Sequence, residues 1–109
     1  MTRAEIPPAL QEALVAERER LLAQGVAWPA LSWRDTQSWA AQHGVALAVV
    51  ERAALAARLA PERYRRNLGT VGWEGQRQLL EATVAVVGAG GLGGWIIEGL
   101  ARMGVGRLI

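Results

Sequence analysis

Apolar residues recur at helical spacing through the first 60 positions. They then give way to an arginine-rich stretch, a second helical run and a short continuous apolar block. Pro7-Pro8 suits a helix start, because proline is tolerated where the first N–H has no intrahelical partner. Leu10, Leu14, Leu21 and Leu22 mark one face, with Glu17, Arg18, Glu19 and Arg20 largely on the other, and Gly25 is a stop. Residues 26–31, with Pro29, read as a connector. Ser32 followed by Asp35 has the spacing of a capping box, with Asp in place of the usual Glu, and opens a short helix that ends at Gly44. A third helix is predicted over 46–60, terminated by Pro61. Farther on, Trp73, Gln76, Leu79 and Leu80 stand at helical spacing and lead into a strand at Thr83.

The block 84–93, Val-Ala-Val-Val-Gly-Ala-Gly-Gly-Leu-Gly, changes the reading from structure to chemistry. A β-branched run meets a GxGxxG turn, and an apolar-periodic helix follows at once: Leu92, Ile96, Leu100 and Met103, expected to lie on a sheet. That order opens a Rossmann-type βαβ unit, in which a nucleotide phosphate sits on the N-terminus of the first helix. Gly88 would allow the tight turn, Gly90 the approach of backbone amides to phosphate, and Gly93 the close packing of helix on strand. Gly104 and Gly106 close the helix, the first as a left-handed cap. Glu98 and Arg102, four apart, suit a surface ion pair. Arg107-Leu108-Ile109 reads as the start of a second strand. The acidic residue that binds ribose in dinucleotide folds falls about 20 positions after the turn, at or past Ile109. The fold class expected is therefore α/β, a Rossmann-like nucleotide-binding fold truncated after its first βα unit and preceded by a helical extension. The extension would occupy residues 1–60 and the nucleotide-binding part 61–109, as the N-terminal piece of a larger protein.

Two other stretches carry competing readings. Ala40, Gly44, Val49 and Val50 have helix-turn-helix spacing, but the early exposed positions of the second helix would be Ala46, Leu47, Ala48 and Glu51, with only Arg52 suited to DNA. DNA binding is not expected. The lone histidine, His43, suits a helix end better than a ligand or base. In Glu62-Arg63-Tyr64-Arg65-Arg66-Asn67, clustered arginines are either a solvated connector paired to Glu62 or Glu74, or an arm whose guanidinium forks grip phosphate. Spacing does not decide between them. Five tryptophans and no phenylalanine suggest core or interface anchors.

Composition narrows the classes. The 109 residues carry 12 basic side chains, all arginine, against 10 acidic, for a net charge of +2, which leaves no strong nucleic-acid footprint. Without cysteine there is no disulfide, thiolate nucleophile or zinc-thiolate site within this stretch. The first residues lack the apolar core of a secretory signal, and no apolar run approaches the roughly 18 residues of a membrane span. A cytoplasmic protein without a membrane partner is expected.

Three stretches in order resemble the ThiF/MoeB/HesA family, related to ubiquitin-activating enzymes. Arg63-Tyr64-Arg65-Arg66-Asn67 is similar to its RYxRN arm, Glu74-Gly75-Gln76-Arg77-Gln78-Leu79-Leu80 to its GQxxL helix, and 86–106 to its nucleotide turn, following helix and GVG end. The resemblance implies an ATP-dependent adenylyltransferase that activates the C-terminal glycine carboxylate of a ubiquitin-like or sulfur-carrier protein. Gly88, Gly90, Gly91 and Gly93 would hold the nucleotide, and Arg66 would reach across a homodimer as the catalytic cation. Mg²⁺, its ligands, the catalytic lysine and any zinc or thioester cysteine would lie beyond Ile109, so these residues alone are expected to be inactive. A nicotinamide- or flavin-dependent oxidoreductase is the alternative use of the same turn, and a DNA-binding or interaction module the non-catalytic one.

Overall fold

The computed structural model describes residues 5–88 and 90–109. Helix α1 (Pro8–Ala23) starts behind Pro7 and ends at a left-handed Gly25. Helix α2 (Trp33–His43) is capped as expected: Ser32 Oγ accepts the Asp35 N–H at 3.0 Å, and Gly44 closes it at φ 63°. Helix α3 (Leu47–Ala56) lies at the centre of the core, its Val49, Val50, Ala53 and Ala54 packed with Leu10 and Leu14 of α1 and Ala40 of α2. The alanines let backbones approach closely, while burial of Leu10 and Leu14 contributes about 2 kcal/mol each.

Helix α3 is shorter than the expected 46–60. Arg58 turns left-handed (φ 60°), its N–H bonds Leu55 O at 3.1 Å, and the Leu59 N–H reaches back to Ala54 O at 2.8 Å. That pair of bonds is a Schellman closure, and Leu59 is buried beneath it. Pro61 then disfavours helical backbone at Ala60. The freed residues form β2 (Ala60–Pro61), which pairs in parallel with β1 (Ala30–Leu31), in register Ala30 to Ala60. The stretch 26–31, expected to be a plain connector, thus ends in a strand.

A 3₁₀ helix (Glu62–Asn67) runs straight into α4 (Leu68–Glu81), which is broken at Gly72 by non-helical backbone (φ 73°, ψ 173°). Its regular part begins at the expected Trp73. Next come β3 (Thr83–Val84), the glycine turn, α5 (Leu92–Met103) and β4 (Arg107–Leu108). Strands β3 and β4 are parallel, Thr83 opposite Arg107, and the ladder continues through Ile109 N–H to Val84 O and Val86 N–H to Ile109 O. The chain is therefore mixed α/β and mostly helical.

Several sequence expectations are corrected. Leu22 is 40% exposed rather than part of the α1 core face. The face of α5 is not covered by a sheet: no described residue of that helix is buried, because two strands of two residues offer too little surface. Trp39 is half-buried against the core cluster, whereas Trp28 and Trp95 are 76% and 74% exposed. Among the described residues no helix is long and apolar enough to cross a membrane.

Candidate nucleotide turn and arginine arm

Gly88 leaves β3 at φ 81°, and Gly91 caps α5 at φ 55°. Ala89, between Gly88 and Gly90, lies outside the described residues. The Gly93 N–H bonds Gly90 O at 3.1 Å, and a Cβ on Gly93 would overlap the Gly88 carbonyl oxygen. Only glycine lets the first turn of the helix press onto the end of the strand in this way. No side chain caps α5, and no acid occupies its first turn. Its N-terminal amide dipoles therefore face outward beside exposed glycines, the arrangement that suits a phosphate.

The other end of α5 is held by the arm and α4. The buried Gln76 donates from Nε2 to Met103 O at 2.9 Å, and Asn67 Nδ2 reaches the same carbonyl at 3.4 Å. Gly104 turns left-handed (φ 94°) where a Cβ would overlap the Gln76 amide and crowd the Tyr64 ring. The Gly106 N–H bonds Leu79 O at 3.1 Å. Arm, GQ helix and GVG end, far apart in sequence, thus meet at one joint.

Within the arm each side chain has its own environment. Arg63 is not paired to Glu62 or Glu74. It grips Glu51 of α3 with both Nε (2.9 Å) and a terminal nitrogen (2.7 Å) and lies 4.7 Å from the Trp33 ring centre. Hydrogen bonding to Glu51 holds the Arg63 guanidinium above its ordinary value, against the opposing effect of burial. Burial likewise pushes the Tyr64 hydroxyl upward. Glu74 instead pairs with Arg77, which also bonds Glu81 at 2.6 Å; hydrogen bonding to Arg77 lowers the Glu74 carboxyl. Arg65 and Arg66 are exposed, and Arg66 has no ion pair among the described residues.

Glu51 was the residue missed. Its exposure is 2%, not that of a surface position on a DNA-reading helix, and Arg52 stands 4.0 Å from Glu81. The early face of α3 therefore meets the arm and α4. The signal was available: Glu51 stands four residues from both Leu47 and Leu55, which puts it on an apolar stripe. His43 stacks on Trp39 at 5.8 Å, as a helix-end residue would. Glu98 and Arg102 form the expected pair at 2.7 Å.

Arm, GQ helix, glycine turn and GVG end follow one another in a single stretch. Residues 64–109 match the model of the ThiF family. The chain is 48% identical over 46 residues to a tRNA threonylcarbamoyladenosine dehydratase of Bacillus subtilis. It is 52% identical over 50 residues to a SAMP-activating enzyme E1 of Haloferax volcanii, and 51% over 49 to a sulfur carrier protein adenylyltransferase of Thermus thermophilus. These alignments take in 42 to 44% of the chain and 18% of each relative, so the chain spans about a fifth of their length. No solved structure matches.

Proposed function

We propose that residues 61–109 are the nucleotide-binding opening, Rossmann-like in design, of an ATP-dependent adenylyltransferase working in the cytoplasm. Its substrate is the C-terminal carboxylate of a ubiquitin-like or sulfur-carrier protein. The observation that carries this is the overlap a Cβ at Gly93 would make with Gly88 O, together with the uncapped start of α5. A cradle that only glycine permits, with amide dipoles pointing out of it, fits the phosphates of ATP. The relatives named for adenylation supply the class of reaction.

In that reaction a carboxylate oxygen attacks the α-phosphorus, the bond from phosphorus to the bridging oxygen breaks, and pyrophosphate leaves with the electron pair. Anions converge, so the protein's part is positioning and charge stabilisation. Gly88, Gly90, Gly91 and Gly93 shape the phosphate cradle, Gly93 by its close packing on the Gly88 carbonyl, since its own N–H already bonds Gly90 O. Arg66, exposed and without an ion-pair partner among the described residues, serves a neighbouring subunit's site in a homodimer. Mg²⁺ is different: among the described residues no three acidic, histidine or cysteine side chains gather to hold a metal.

The test is ATP–pyrophosphate exchange by the complete gene product, stimulated by a small protein ending in two glycines. Exchange lost in Gly93→Val supports the reading. Reduction of a nicotinamide or flavin without exchange overturns it. The likeness to the Bacillus dehydratase favours a second acceptor, a modified adenosine in tRNA; stimulation by tRNA in place of the carrier protein selects it.

A further inference from the structure

A cleft of about 520 Å³ opens between the end of α1, the 26–29 connector, the closure of α3, the arm and the start of α4. Its walls bring together Arg18, Arg58, Arg65, Trp28 and Trp73, and no acidic side chain lines it. No residue of the glycine turn contributes. From this juxtaposition we infer a second ligand site, for a nucleoside monophosphate, in which the arginines take the phosphate and the indoles take the base.

Three observations support the phosphate half. Guanidinium groups repel one another unless an anion lies between them, and a dianionic phosphate answers that better than a single carboxylate, with oxygens spaced for bidentate contact. Arg18 Nε is shut off from solvent yet has no hydrogen-bond partner among the described residues. Most telling is Arg58. Helices α1, α2, α3 and α5 all close on a left-handed residue, and at Gly25, Gly44 and Gly104 that residue is glycine. Only α3 closes on a side chain, at φ 60°, where glycine would relieve backbone strain. A cation kept at a strained position is accounted for by what its guanidinium does in the cleft.

The base half rests on the two indoles. Arg58 lies 5.5 Å from the centre of the Trp73 ring, and both side chains line the cleft. Trp28 is 76% exposed at the wall. Arginine forks beside exposed aromatic faces are the recurring means of holding a base and its phosphate. The volume is of the size that takes a ligand of this class. Glu74, whose carboxyl feels the Arg58 charge, is engaged by Arg77 and does not neutralise the cluster.

The test is calorimetric titration of the 109-residue chain with AMP, adenosine and inorganic phosphate, repeated on Arg58→Gly, Arg65→Gln and Gly93→Val. Arg58→Gly removes the cation and relieves the left-handed strain together, so its melting temperature should hold or rise while AMP affinity falls by about tenfold or more. Arg65→Gln should weaken AMP as well. Gly93→Val, which disables the glycine turn, should leave AMP binding unchanged; that separates this site from the proposed ATP site. Adenosine and phosphate alone should each bind at least about tenfold more weakly than AMP. The inference is overturned if no AMP binds at millimolar concentration, or if both arginine variants keep wild-type affinity. It is equally overturned if Gly93→Val abolishes binding, or if phosphate alone binds as well as AMP.

Discussion

The Arg63–Glu51 pair ties the arginine arm to the helical core, and its strength can be worked from geometry. Glu51 is 2% exposed and accepts two hydrogen bonds from one guanidinium; the Arg63 side chain is 49% exposed. Removing one partner of a fully buried pair costs about 3–5 kcal/mol, because the other charge is stranded. Here water reaches the arginine side, and that screening brings the expected cost of Arg63→Ala down to about 2 kcal/mol. Losing the guanidinium from the Trp33 and Tyr64 rings, each 4.7 Å away, adds about 0.5–1 kcal/mol. Glu51→Gln keeps shape and one acceptor and should cost about 1 kcal/mol alone. In that background no charge is left to strand, so Arg63→Ala should cost only about 1 kcal/mol. Urea unfolding of the four proteins then gives a coupling of about 1.5 kcal/mol. Equal costs of Arg63→Ala in both backgrounds, or a cost below about 0.5 kcal/mol in the parent, would refute the reasoning.

Tyr64 is the single tyrosine, so absorbance at 295 nm reads it alone during an alkaline titration. Burial raises its folded-state pKa, so stability is full below the unfolded value of about 10 and is lost as pH rises through the folded one. A midpoint at or below about 10 contradicts the burial. Gly93→Ala forces a methyl onto the Gly88 carbonyl; circular dichroism should keep the helices of the first 60 residues, while binding of a non-hydrolysable ATP analogue weakens by about tenfold or more. Unchanged affinity excludes the close approach as a binding determinant. Gly104→Ala combines left-handed strain with displacement of the Gln76 amide and should cost about 2–4 kcal/mol in urea unfolding. Ile96→Ala, at a residue 45% exposed, should cost about 0.5 kcal/mol or less. The reverse order would mean that α5 is held by its side chains.

Local signals survived from sequence to structure where one residue decides one backbone event. Ser32 caps α2, Gly44 and Gly104 close their helices, and Arg107-Leu108 pairs back onto the strand before the turn. What the sequence did not disclose was long-range. The parallel bridge between Ala30 and Ala60 has no periodic signature, being two residues long on each side. Helix α3 stopped short because a left-handed arginine is rare, and a glycine at 58 would have marked the closure. Partner choice was hidden too: Glu62 and Glu74 are nearest the arm in sequence, yet Arg63 reaches back to Glu51 across the chain reversal at 57–61. At the glycine turn, spacing indicated which residue must lack a Cβ. It could not indicate that the cleft beside the arm draws its arginines from α1, the α3 closure and the 3₁₀ helix.

These long-range contacts explain how α5 is placed without a buried face. Leu92 and Trp95 are each 74% exposed, so apolar burial does not seat the helix. Its position is set at its two ends by contacts to backbone: Gly93 against the Gly88 carbonyl, and Met103 O accepting from Gln76 and Asn67. Both ends depend on glycine, once for close approach and once for a left-handed turn, with Gly106 adding a bond to Leu79 O. Within these residues the main chain thereby sets the direction of the N-terminal amides of α5. The residues of the arm, the GQ helix and the GVG end therefore divide into two kinds. Tyr64, Asn67, Gln76 and Gly104 hold the C-terminal end of the helix, and through it the direction of its dipole. Arg66, which holds nothing among the described residues, is left available for charge.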